Sequence, residues 1–221
     1  DEAALMFIER SGGFIAAPSA NISGRPSPTR PEHVIEDMSG RIDAIISGGS
    51  SDIGVESTIV DLTGDVPEIL RPGFVTPEMI EKVAGSVCID QTIISDSSGM
   101  APRAPGMKYR HYAPNASLSI VKGERQKVAE LINERIRQSK GRRVAVMCAG
   151  ENADLYESVA VKPLTGSKGV ADAAKVLYAI LRECDEEGVE EIYSENFDDR
   201  GLGLALMNRL LKAAGHVVIE V

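Results

Sequence analysis

Cysteine is scarce in this chain. Its 221 residues hold three, Cys88, Cys148 and Cys184, far apart, odd in number and without a Cys-x-x-Cys pair. That excludes a disulfide framework and a zinc knuckle, and it fits a reducing, cytoplasmic setting. Basic charge is also short. Lys and Arg number 24 against 33 Asp and Glu, a net charge of -9, and the densest basic cluster, Lys140 to Arg143, is brief. A surface built to hold nucleic acid needs clustered Lys and Arg, so that class is disfavoured, while a local basic pocket for one nucleotide stays open. No apolar run reaches the ~18 residues that span a bilayer. The first residues lack the basic start and apolar stretch of a signal peptide. They also lack Met, and Asp1 to Arg10 enters directly an amphipathic pattern in which Ala4, Leu5, Phe7 and Ile8 mix with acids. This reads as the middle of a domain. What is present is an ordinary mixture, 43% hydrophobic and 26% charged, sufficient for one large or two small domains.

The apolar periodicity predicts a helix over 2–11 ended by Gly12-Gly13, and a short strand over Phe14 to Ala17. A Ser/Pro/Gly/Asn-rich loop follows over Pro18 to Pro31, then a helix with Pro31 in its first turn. Strands are expected at Ala44 to Ile46, Ser57 to Leu62 and Pro67 to Arg71, and a helix over Thr76 to Val83 with Thr76 as N-cap. Residues 91–117 hold a Ser-Asp-Ser-Ser-Gly run and several prolines, and read as a linker that also carries Lys108-Tyr109-Arg110-His111-Tyr112. Beyond it strands and helices alternate: strands at Leu118 to Val121, Val144 to Cys148, Val189 to Tyr193 and Val217 to Val221, with helices over Glu124 to Gln138, Ala171 to Cys184 and Gly203 to Ala214. That alternation implies a doubly wound parallel sheet.

Several segments are candidates for chemistry. The loop Ala16-Ala17-Pro18-Ser19-Ala20-Asn21 through Ser27-Pro28-Thr29 sets hydroxyls and an amide close together after a strand, where they can present donors to a phosphate or carboxylate. The same residues also suit a surface loop held by Asx and Ser turns. Glu56 and Ser57 stand at the mouth of an apolar strand, and Arg71 ends another before Pro72-Gly73, where its planar fork could grip a phosphate. His111, among Lys108, Tyr109, Arg110 and Tyr112, suits either a docked linker or a loop closing over a site. His33 and His216 read as structural. Gly201-x-Gly203 is half of a dinucleotide fingerprint without its third glycine.

Taken together, AAPSANISGRPSPT, GVESTIVDL, ILRPG and PGMKYRHYAP resemble the YrdC-type threonylcarbamoyl-AMP synthases in their long, two-domain form, and GLGLALMNRLLKAAG resembles that form's C-terminal domain. The likeness runs in order over essentially the whole chain. It implies an α/β protein: the C-terminal half of a YrdC-like α+β twisted-sheet domain over 1–100, a linker over 101–116 that folds over the active site, and a small Rossmann-like domain over 117–221. It implies formation of threonylcarbamoyl-AMP and pyrophosphate from L-threonine, bicarbonate or CO2, and ATP with Mg2+, for a tRNA modification, with tRNA or tRNA-modification proteins as further partners. By the same resemblance Ala17 and Ser57 belong to the threonine site, and Ser19, Asn21, Ser27, Arg71, His111 and Tyr112 to the ATP site, with no residue-bound metal. The resemblance also places a Lys-x-Arg motif and a threonine-binding arginine before the position of Asp1, so these 221 residues alone are expected to be inactive. Two competing readings are an RNA-binding module and a regulatory module without activity of its own.

Overall fold

The computed structural model describes residues 1–94, 103–104, 113–158 and 160–221. The chain begins with helix α1 (Glu2–Arg10), where the Asp1 carboxylate accepts from the Ala4 amide at 3.0 Å. Helix α2 (Pro31–Met38) follows the long polar loop, with proline in its first turn. A three-stranded sheet comes next. Strand β1 (Ile59–Asp61) pairs antiparallel with β2 (Glu68–Arg71), and β2 pairs parallel with β3 (Cys88–Ile89). Helix α3 (Pro77–Ala84) bridges β2 and β3, and the short α4 (Gln91–Ile94) ends this part.

The second sheet is built from β4 (Ser117–Lys122), β5 (Val144–Cys148), β6 (Ala160–Pro163), β7 (Glu191–Glu195) and β8 (Val218–Glu220). Every pairing in it is parallel, in the order β6-β5-β7-β4-β8. Helix α5 (Arg125–Gln138) covers one face, packing Val128 and Ile132 on Val146 and Cys148. Helices α6 (Val170–Glu186) and α7 (Leu202–Ala213) cover the other, packing Leu177, Leu181, Leu206 and Leu210 against Ala145 and Met147. Strand β5 is therefore buried on both faces, which is why it is apolar at every position. The expected doubly wound sheet is present. At the start of α7 a Cβ on Gly203 would meet the Asp198 carbonyl at 1.9 Å, so this glycine serves close packing of the turn before the helix.

Two expected strands are absent. Phe14 to Ala17 and Ala44 to Ile46 run without ladder hydrogen bonds, and Phe14 is 87% exposed. Apolar composition makes a strand only where another strand is present to pair with it. The strand expected at Val189 to Tyr193 lies two residues later: the Val189 amide closes the turn from α6 on the Cys184 carbonyl, and the Glu190 and Glu191 amides both donate to the Arg143 carbonyl just before β5. Strands β3 and β6, helix α4 and the 3-10 turn Gly150–Leu155 carry no periodic signal of their own. Among the described residues no helix is long and apolar enough to cross a membrane.

Candidate functional site

The polar loop after α1 is held in shape by acids on α2. Asp37, fully buried at its side chain, accepts from the Ile22 amide at 3.3 Å and pairs closely with Arg25, whose second nitrogen reaches Glu36 at 2.7 Å. Burial works against the Asp37 charge. The hydrogen bond from Arg182 and the charges of Arg182 and Arg25 outweigh that and hold its carboxyl below the ordinary range. Asn21 turns inward on the loop, its amide nitrogen donating to the carbonyls of Ile22 at 2.9 Å and Arg25 at 3.3 Å. Its amide oxygen is buried and has no hydrogen-bond partner among the described residues. Further on, the Thr29 amide donates to His33 Nδ1 at 3.1 Å. Burial, then the nearby Arg182 and Arg30, lowers the His33 pKa and favours the neutral ring that can accept this bond.

The loop lines a cleft of about 500 Å³ with Ser19, Ser27, Asp52, Glu56 and Tyr178 among its walls. Glu56 is the electrostatic centre of that wall. Its carboxylate accepts from Ser27 Oγ at 2.6 Å, from the Tyr178 hydroxyl at 3.0 and 3.1 Å and from Arg209 Nε at 2.7 Å. Burial again opposes the charge, and the Arg209 charge with the Ser27 and Arg209 hydrogen bonds wins, so the Glu56 carboxyl lies below the usual range. An ionised Glu56 surrounded by three donors is a fixed acceptor. It is placed to organise hydroxyls, and its ion pair argues against a role as a proton-transfer group. Among the described residues no three His, Cys, Asp or Glu side chains lie close together.

The predicted site residues fall into groups. Ser19 and Ser27 share the cleft. Ser57 and Arg71 form a second pair one residue beyond Glu56: Arg71 Nε and a terminal nitrogen donate to the Ser57 carbonyl at 3.1 and 3.0 Å, and that nitrogen lies 3.5 Å from Ser57 Oγ. The Arg71 fork is thus turned onto its own sheet's entry strand. Asn21 braces the loop. Ala17 is exposed and is not part of the cleft lining. His111 and Tyr112, with Tyr109, lie outside the described residues.

Three residues of this neighbourhood are absent from the sequence-based set: Tyr178, Arg182 and Arg209. Arg182 and Arg209 are 1% and 0% exposed. The signal in the sequence is an arginine beside an apolar run, in Leu177-Tyr178-Ala179-Ile180-Leu181-Arg182 and again in Arg209-Leu210-Leu211. Such a charge must have a partner, because a buried arginine without one is strongly destabilising.

One family model, described as threonylcarbamoyl-AMP synthase, C-terminal domain, matches residues 75–215. A second, described as telomere recombination, matches residues 1–73. A Bacillus subtilis threonylcarbamoyl-AMP synthase is 47% identical over 98% of this chain and 62% of its own length. One from Pyrococcus abyssi is 47% identical over 100% of this chain and 63% of its own. The chain therefore spans under two thirds of the length of these relatives. A crystal structure of P. abyssi Sua5 complexed with L-threonine matches 100% of this chain and 64% of that one at a TM-score of 0.87 and 45% identity. A structure of the same protein with a neighbouring His and Tyr replaced by Ala matches at a TM-score of 0.89. With a family model over most of its length, the chain belongs to the threonylcarbamoyl-AMP synthase family.

Proposed function

We propose that this chain is the part of a threonylcarbamoyl-AMP synthase that carries one wall of the ATP and threonine site. The observation that carries this reading is the cleft that unites Ser19 and Ser27, with Glu56 between them and the Ser57–Arg71 pair. The crystal structure of the P. abyssi relative with L-threonine supports the assignment of the substrate. In this reading Ala17 and Ser57 contact threonine, while Ser19, Asn21, Ser27 and Arg71 contact the nucleotide, and His111 and Tyr112 close the site. Residues 1–100 form the catalytic half, 101–116 the linker and 117–221 a Rossmann-like domain. The enzyme works in the cytoplasm and its product feeds tRNA modification.

The chemistry asks for positioning more than for a reactive side chain. Threonine's amine adds to CO2, forming an N–C bond and losing a proton, and a carbamate oxygen then bonds to the α-phosphorus of ATP as pyrophosphate leaves. Mg2+ enters on the triphosphate, as part of the substrate. Fixed hydroxyls and a guanidinium that hold two substrates in line supply the orientation and charge stabilisation such a reaction needs. The test is exchange of labelled pyrophosphate into ATP, measured on the protein with any coding sequence that precedes Asp1. Exchange that requires both threonine and bicarbonate is expected. Exchange that ignores either one overturns the assignment.

A further inference from the structure

We infer that the parallel-sheet half of the molecule sets Ser27 in the cleft, which makes Tyr178, Arg182 and Arg209 positioning residues of the site. The role given to Ser27 rests on the reading above. The clasp itself rests on geometry. Arg182, from the middle of α6, sends Nε and a terminal nitrogen to the Pro26 carbonyl at 3.1 and 2.6 Å, and the same guanidinium bonds Asp37 at 2.7 Å. The peptide immediately before Ser27 is therefore fixed by a side chain almost wholly out of water. On the other side, Ser27 Oγ donates to Glu56. Glu56 is held by Tyr178 from α6 and by Arg209 from α7, and Arg209 also donates to the Pro72 carbonyl at 2.9 Å, just past Arg71.

Two helices thus hold the loop from two directions, α6 through Arg182 and Tyr178 and α7 through Arg209, which also donates to Asn208 Oδ1 at 3.0 Å within its own helix. The junction places its charges against the Pro26 carbonyl and, through Glu56, the hydroxyl of the cleft-lining Ser27. It also sets the polarity of Ser27. Its single hydroxyl proton is given to an ionised carboxylate, so the oxygen offers the cleft lone pairs only. The partner it fits is a donor, such as a ribose hydroxyl, and a phosphate oxygen is a poor match.

The experiment uses Tyr178→Phe, which removes one hydroxyl, and Arg182→Lys, which keeps charge and loses the fork, in the full-length protein. In Tyr178→Phe the KM for ATP is expected to rise about tenfold, the worth of one hydrogen bond to a charged group. The KM for threonine should stay within about twofold. Tyr178→Phe combined with Ser27→Ala should be no worse than Ser27→Ala alone. In Arg182→Lys the peptide covering 25–30 should exchange its amide hydrogens about tenfold faster, with β5 unchanged. Unchanged protection of 25–30, or additive kinetic effects, overturns the clasp. Faster exchange at 25–30 in a protein that shows no pyrophosphate exchange leaves the clasp standing and removes the proposed function instead.

Discussion

Glu56 keeps its charge in a confined place because three donors face it, and Arg209 is the one that carries the opposite charge. Arg209 is wholly buried, whereas the Glu56 side chain retains 19% exposure. Neutralising the carboxylate removes the anion of this buried ion pair, while the bonds of Arg209 to Asn208 and Pro72 remain. Glu56→Gln should therefore cost about 3 kcal/mol of stability at neutral pH, read from urea denaturation. The pH dependence has a definite sign. Glu56 and Asp37 have folded pKa values below their ordinary 4.5 and 3.8. Their stabilisation is present in full above those ordinary values and is lost as pH falls through the lowered ones. Acid unfolding should steepen below about pH 4.5, and Glu56→Gln should flatten that limb. His33 acts at milder pH. Its folded pKa is lowered from 6.5, so the unfolded chain binds the proton first and stability falls as pH drops below 6.5. His33→Asn, which keeps an acceptor for the Thr29 amide, should remove that dependence. The cysteines separate as cleanly. Burial pushes the Cys148 and Cys184 thiols up to about 12, while Cys88 is exposed. A thiol reagent at pH 8 should modify Cys88 in the native protein and reach the other two only after denaturation.

At the scale of elements, the loop that carries Glu56 is seated by a glycine. Gly54 has φ +81°, and a Cβ there would lie 2.4 and 2.5 Å from the Lys175 and Ala174 carbonyls of α6. Gly54→Ala should cost about 3 kcal/mol, the sum of left-handed strain and overpacking, with a matching fall in the thermal midpoint. The parallel sheet was legible in the sequence because its signals are local. β5 matches its apolar run residue for residue, and α5 begins at Arg125 with Glu124 as its N-cap, one residue from the expected start. Phe14 to Ala17 and Ala44 to Ile46 were misread because a strand is a pairing, and a single segment's composition does not say whether a neighbour exists. The cleft was half legible. Ser19 and Ser27 stand eight positions apart in one polar loop, whereas Tyr178, Arg182 and Arg209 reach it from more than 120 residues away, over a distance that no periodicity encodes.

For the whole molecule, the junction between the two sheets is made of charge as much as of apolar surface. Arg182–Asp37 and Arg209–Glu56 are buried ion pairs across it, and Arg30–Glu183 adds a third at its rim. Net charge is -9. Binding of these 221 residues to tRNA at physiological ionic strength should therefore be no tighter than ordinary non-specific contact, with a Kd on the order of 10⁻⁶ M or weaker. Tight, salt-sensitive binding in a filter assay would favour the RNA-binding reading instead. Gly54 has one more consequence, for recombination between relatives. The loop and helix α6 touch backbone to backbone, so they behave as lock and key and not as two independent modules. A chimera that joins residues 1–94 to a foreign parallel sheet should fold only where five choices travel together: a glycine at 54, acids at 37 and 56, and arginines at 182 and 209. Exchange of either half alone imports a lock cut for another key.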